Sequence, residues 1–207
     1  MGTEIMSQEY RPIHPCSPRV SRVRIVLAWI DLEMTGLDPT SNVIVEIASL
    51  ITDDDLEVVA IGPQLVICAT AAQLGAMDDF VTAMHDRSGL RKDIEASLLT
   101  VEDAEQTTLD FLYQHIDQEG QVPLAGNSIG TDRRFLAAQM PRIESFLHYR
   151  CVDVSTIKEL ARRWYPEIYA NAPKKGENHR ALDDIKESLE ELRYYRSHLF
   201  TPSASAT

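Results

Sequence analysis

The chain predicts an α/β fold in which a mixed sheet of five strands carries helices on both faces. Three observations predict it. Apolar runs joined by short connections fill residues 25–68, and short connections favour antiparallel pairing. Beyond residue 70 the apolar spacing lengthens to that of helices. Two further short apolar runs, at 122–125 and 151–152, then alternate with helical segments. In such sheets, sites gather where loop and helix ends meet strand ends.

The first strand is the uninterrupted apolar run 25–30, which reads as buried on both faces. The second is 42–52, rich in Val and Ile, and Asp53-Asp54-Asp55 turns the chain. Residues 56–61 and 64–68 follow, with Gly62-Pro63 as a bend or bulge between them. Helical spacing covers 71–91, with a break near Ser88-Gly89. Thr100 can cap a long helix through Ala104, Thr108, Phe111, Leu112 and Ile116 that ends near Gly120. After the strand at 122–125, the turn Gly126-Asn127-Ser128 leads into a helix over 131–139, which Pro141 stops. Residues 151–152 form the last strand, 154–164 a helix, and 165–178 a loop holding Pro166, Pro173 and Gly176. The final helix runs over 178–199, with an apolar stripe at Leu182, Ile185, Leu189 and Leu192.

A length of 207 residues and 44% hydrophobic content suit one globular domain. Residues 1–24, with Pro12, Pro15 and Pro18 and no apolar period, read as a flexible tail, and 201–207 as a frayed end. The tail lacks the apolar segment of a signal peptide, and Glu4 and Glu9 argue against a transit peptide. No apolar stretch is long enough to span a bilayer. Cys16, Cys68 and Cys151 fit no zinc or disulfide spacing and read as reduced thiols of an intracellular protein. The expected compartment is the cytoplasm, with the mitochondrion left open for a eukaryotic source. A net charge of -12 argues against coating long duplex nucleic acid. It leaves room for a short ligand held by a few Arg residues and metal ions.

The first strand runs directly into Asp31-Leu32-Glu33. Alternation points Asp31 and Glu33 to one face and Leu32 to the other. Adjacent carboxylates repel and raise each other's pKa, which a divalent ion relieves. Hard oxygen donors suit Mg²⁺ or Mn²⁺ rather than zinc. The plain alternative is a solvated strand end before a Thr35-Gly36 turn.

Three later places could supply partners. In 126–132 a strand, a glycine-flanked turn and a helix start can bring backbone N–H groups and the Asp132 carboxylate to a ligand. Asp132 could equally be a first-turn acid that favours the helix dipole. In 179–184, His179 could act as a general base with a pKa near neutral, or be an exposed helix-start histidine. Asp183 and Asp184 both lie off the apolar stripe, and helical geometry does not choose between them. In 146–163, Arg150, Lys158, Arg162, Arg163 and the hydroxyls of Ser155 and Thr156 could hold a phosphate, although Arg162 and Arg163 could equally be the polar face of an amphipathic helix.

Taken together, WIDLEMTGLDP, AGNSIGTDRRF, FLHYR, DVSTIKELARRWYP and HRALDDIKES resemble the oligoribonuclease family, within the exonucleases that use four acidic metal ligands and a histidine. The resemblance runs from about Ile25 to Phe200, in the family's motif order. It implies a ribonuclease-H-like fold, one exonuclease domain over 25–200, and 3′-to-5′ hydrolysis of very short RNA, dinucleotides especially, to nucleoside 5′-monophosphates. It implies that Asp31, Glu33, Asp132 and Asp184 hold two divalent cations, Mg²⁺ or Mn²⁺, and that His179 is the general base. It further implies that Leu37 and Phe80 pack on bases with His85 close by, and that Ser128 contacts the nucleotide. Tyr149 and Arg150 would reach the 5′ phosphate of a ligand held by the partner of a homodimer, with Ser155 helping to cap that phosphate. Phe80 departs from the Trp often found in the family, and its smaller ring stacks less strongly. The competing readings are a proofreading or repair exonuclease acting on longer single-stranded DNA or RNA, and a non-catalytic nucleotide-binding module.

Overall fold

A computed structural model describes residues 26–174, 176 and 179–200. Its strands are β1 (Val26–Met34), β2 (Ile44–Asp53), β3 (Val58–Val66), β4 (Pro123–Gly126) and β5 (His148–Asp153). They form one five-stranded sheet in the order β3-β2-β1-β4-β5. β1 is the centre, antiparallel to β2 and parallel to β4, and β5 continues the parallel part. The helices are α1 (Ala71–Gly75), α2 (Asp79–Ser88), α3 (Leu90–Ala96), α4 (Val101–His115), α5 (Gly130–Gln139), α6 (Pro141–Phe146), α7 (Val154–Trp164), α8 (Pro166–Ala170) and α9 (Ala181–Leu199).

Alternation along β1 divides the core. Val26, Ala28, Ile30 and Leu32 pack with Leu109, Leu112, Phe135 and Phe146 under α4, α5 and α6. Trp29 points the other way, into a second cluster with Ala161 of α7 and Ile185, Leu189 and Tyr195 of α9. Its indole N–H donates to Thr52 Oγ1 at 3.0 Å, so the large ring is buried with its polar atom satisfied. A third cluster, Val45 with Leu74, Met77, Leu90 and Ile94, seats α1 to α3 beside β2.

Several elements differ from expectation. β1 does not stop at residue 30 but continues through Asp31 and Glu33, because the ladder with β2 persists to Met34 across a register shift. The expected bulge at Gly62-Pro63 is present, where the register against β2 slips between Ala48 and Leu50, but it lies inside one continuous β3 instead of between two strands. A side chain at Gly62 would collide with the Phe111 ring, 2.6 Å from its Cε1. The helical stretch 71–91 is three helices. Asp78 caps α2 by accepting from Val81 N–H at 2.8 Å, and Gly89, at φ 75°, ends it.

α4 stops at His115, short of Gly120, since Ile116 turns extended and is buried. Pro141 both stops α5 and opens α6, its ring suiting the first helical turn. β5 is longer than the two apolar residues that announced it, and the expected loop at 165–178 contains α8, opened by Pro166. α9 starts at Ala181, and Leu182 on its expected stripe is half-buried. The expected tail 1–24, the end 201–207, and the expected element starts at Ile25 and Asn178 lie outside the described residues. Among the described residues, no helix is long and apolar enough to cross a membrane.

Candidate metal centre and active site

By alternation, Asp31 and Glu33 lie on the face of β1 that carries Trp29, the face covered by α9. Asp184 lies in the first turn of α9. Asp31, Glu33 and Asp184 can each offer a carboxylate oxygen within 4.8 Å of the others. Asp183 is instead half-exposed and pairs with Lys186 at 3.6 Å. The folded chain thus separates two neighbours that helical periodicity leaves equivalent.

Asp132 approaches from α5. Its Oδ1 accepts from the N–H of Leu32, between Asp31 and Glu33, at 3.2 Å. Burial pushes its pKa up to about 6, opposed by hydrogen bonds from its own and the Leu32 N–H, with the Asp153 charge adding to the rise. It stands outside the tight trio, yet its charge is felt at Glu33. Burial, then Asp184, Glu46 and Asp132, raise Glu33 to about 8, and Arg180 acts against them.

The donor set is all oxygen, with a buried carboxylate crowded by like charges. That suits a hard divalent cation, whose charge would reverse the rise at Glu33. Asp31, Glu33 and Asp184, with Asp132 beside them, are the residues that could hold such ions.

His179 sits just before Arg180, half-buried, with left-handed backbone at φ 43°. Arg180 binds Glu46, the residue paired with Glu33 across β1 and β2. His179 is near enough to His85 for a positive charge there to lower the His85 pKa, although burial is the main cause.

His85 itself is fully buried on α2, with Nε2 2.9 Å from the Met34 carbonyl at the end of β1. That contact places the proton on Nε2 and leaves Nδ1, which has no hydrogen-bond partner among the described residues, as an acceptor. The ring supports the strand end from beneath. Leu37 and Phe80 are 71% and 75% exposed and line a cleft of about 750 Å³, with Glu33 also in its wall. An acid cluster therefore opens beside two apolar side chains.

The other expected contacts lie at the β5 end. Asp153 Oδ1 accepts from Ser128 N–H at 2.9 Å, Ser155 N–H at 2.9 Å and Ser155 Oγ at 2.7 Å. One oxygen thus joins Ser128, held left-handed at φ 61°, to the start of α7. Tyr149 is 74% exposed, with Arg150 Cζ 5.5 Å from its ring centre. Arg133 of α5 donates from Nη1 to the carbonyls of His148 and Tyr149 at 3.0 and 3.2 Å, fixing the strand that presents them.

Glu46, Asp153 and Arg133 are absent from the sequence-derived set. A lone acid inside VIVEIASL signals Glu46, since a buried charge needs a partner. Asp153 is marked as an acid directly before a helix, where it caps α7, while no sequence signal marks Arg133.

Comparison with known proteins bears on the family and the fold. The exonuclease family model RNase_T matches residues 28–192. The oligoribonuclease of Corynebacterium diphtheriae is 55% identical over 184 residues, covering 89% of this chain and 84% of that protein. The oligoribonuclease of Mycobacterium leprae is 52% identical over 176 residues, 85% of this chain and 82% of that one.

Among solved structures, the zinc-bound E. coli ExoI–ssDNA complex superposes at TM-score 0.62 and 13% identity, over 85% of this chain and 41% of that one. The nuclease domain of 3′hExo, a DEDDh family member bound to rAMP, superposes at TM-score 0.57 and 15% identity, over 85% of this chain and 94% of that domain. At such identities these structures speak to fold alone, and the fold they share is ribonuclease-H-like. With more than half of its aligned residues identical over nearly nine-tenths of its length, and with the exonuclease model reaching from β1 into α9, the chain is a nuclease hydrolase and belongs to the oligoribonuclease family.

Proposed function

We propose that the protein is a 3′-to-5′ exoribonuclease that hydrolyses very short oligoribonucleotides, dinucleotides above all, to nucleoside 5′-monophosphates in the cytoplasm. The observation that carries this reading is the meeting of Asp31, Glu33 and Asp184 within 4.8 Å, at the edge of a cleft with exposed apolar walls. Asp31, Glu33, Asp132 and Asp184 would hold two divalent cations, Mg²⁺ or Mn²⁺. Bound there, the ions supply Lewis-acid chemistry and neutralise charge around the scissile phosphate. That is how an acidic chain can accept an anionic substrate.

His179 takes a proton from the attacking water. The water oxygen bonds to phosphorus as the bond to the 3′ oxygen breaks. General-base help of this kind is worth about 10²–10⁴-fold. Leu37 and Phe80 offer apolar faces to the bases, with His85 supporting that wall from inside. Ser128 meets the nucleotide near the turn.

Arg150 and Tyr149 hold the terminal 5′ phosphate of a ligand in the partner subunit, so the active form is a homodimer with two equal sites. Ser155 completes that cap. Its hydroxyl now donates to Asp153, so it must rotate about one bond to donate to a phosphate. Residues 25–200 act as one exonuclease domain.

The test is a time course with Mg²⁺ or Mn²⁺, using an RNA dinucleotide, a longer RNA and a long single-stranded DNA. The dinucleotide should be consumed fastest, with 5′-monophosphates as products and no reaction in chelator. Faster trimming of the long DNA would favour a proofreading or repair exonuclease instead.

A further inference from the structure

Glu46 lies within β2 and is fully buried, opposite Glu33 in the register with β1. A carboxylate so placed costs several kcal/mol unless it is paired and hydrogen-bonded. Both of its oxygens are occupied. Oε1 accepts from Arg180 Nη2 at 2.8 Å, Arg180 Nε at 3.0 Å and Gln64 Nε2 at 2.9 Å. Oε2 accepts from the N–H of Ala181 at 3.0 Å and from Arg180 Nε at 3.3 Å.

Ala181 is the first residue of α9, and the N-cap residue, Arg180, offers no side-chain cap. The first helical N–H groups lack partners within a helix. Here the sheet supplies one, from a residue 135 positions away. The third nitrogen of Arg180, Nη1, binds Asp93 of α3 at 3.0 Å. Arg180 is therefore gripped by two elements, through a fork that resists both rotation and sliding.

What hangs on Arg180 is the chemistry. His179 precedes it directly, in a left-handed conformation that a non-glycine residue adopts at some cost. The N–H of Asp184 donates to the Arg180 carbonyl at 3.0 Å, closing the first turn of α9. Among the described residues, Glu46 and Asp93 both hold the start of α9, and Glu46 lies opposite Glu33 in the register of β1 with β2. Glu46 could itself be mistaken for a fifth acidic ligand, but its oxygens already serve Arg180, Ala181 and Gln64.

We infer that Glu46 is a positioning residue, which through Arg180 and the Ala181 N–H sets His179 and Asp184 against Asp31 and Glu33. The inference rests on the roles given above to His179 and Asp184.

The test compares Glu46→Gln, Arg180→Lys and the double variant, assayed on an RNA dinucleotide well below the melting temperature of each. Glu46→Gln should lower kcat about 10- to 100-fold, the scale of a small misplacement of reacting groups, with KM nearly unchanged. Arg180→Lys keeps the charge but not the fork, and should lower kcat in the same direction. The double variant should be no worse than the worse single one, because both break one linkage.

Mn²⁺ should bind several-fold more weakly to each variant than to the parent, because Asp184 is one of its proposed ligands. Should Glu46→Gln fail to fold, Arg180→Lys carries the test alone. A folded variant with parental kcat, multiplying losses in the double variant, or parental Mn²⁺ affinity would each overturn the inference. His179→Ala is run beside them. If it retains parental kcat while Glu46→Gln does not, the base assignment has failed and the anchoring of Asp184 has not.

Discussion

The centre where β1 meets α9 and the rim formed by β5 and α7 are built on opposite plans. At the centre, Asp31, Glu33, Asp132 and Asp184 come from β1, α5 and α9, and burial crowds their charges together. At the rim, Tyr149 and Arg150 are exposed on a strand whose backbone Arg133 holds, and the two side chains lean chiefly on each other. The first plan fixes side chains and suits bond breaking, which tolerates little misplacement. The second fixes a backbone and leaves exposed side chains able to meet something outside the chain. Chemistry and length selection should therefore be separable by mutation.

The largest effects should come from the centre. Asp184→Asn should cost about 10³-fold in kcat, as loss of a group that supports transition-state charge does. Asp183→Asn, one residue away, should stay close to the parent. Equal losses at the two would erase the distinction drawn from the trio.

His179→Ala should fall by about 10²–10⁴-fold while divalent ions still bind, as isothermal titration with Mn²⁺ would report. At the rim, Arg150→Ala removes charge-assisted hydrogen bonds worth about 1.5–3 kcal/mol. It should slow dinucleotides about 10- to 100-fold and longer oligomers far less. A loss independent of length would mean the rim does not measure substrates.

A further contrast concerns pH. Glu33 has a folded pKa of about 8 against an ordinary 4.5, so the fold binds its proton more tightly than the unfolded chain does. In chelator, stability from this group is present below about 4.5 and is lost as pH rises through about 8. The melting temperature in EDTA should thus decline across that window, and added Mn²⁺ should reverse the decline. Neutralising Arg150 should leave that profile alone. The smallest effect expected is at the cleft wall, where Phe80→Trp should tighten dinucleotide binding severalfold, since stacking is worth about 1–3 kcal/mol per base.

The legibility of these regions differs for the same reason. Asp31 and Glu33 were readable because strand alternation is strict and their apolar neighbours announce burial. Asp184 was readable only through the resemblance, as the stripe on α9 treats it and Asp183 alike. β5 was nearly invisible, because its exposed residues carry no apolar period. His85 looked like a group beside the ligand and is found sealed under the end of β1, a placement set by tertiary packing. Glu46 stands out as a lone acid in VIVEIASL, but nothing local names its partner, which lies 134 residues on.

The irregularity at Gly62-Pro63 has a consequence for the protein's life among other chains. β3 is an outermost strand and exposes Val58 and Ile61, so a straight β3 would invite an unfolded neighbour to zip alongside. Pro63 withholds a donor and the slipped spacing spoils the template, so that rim should resist clumping.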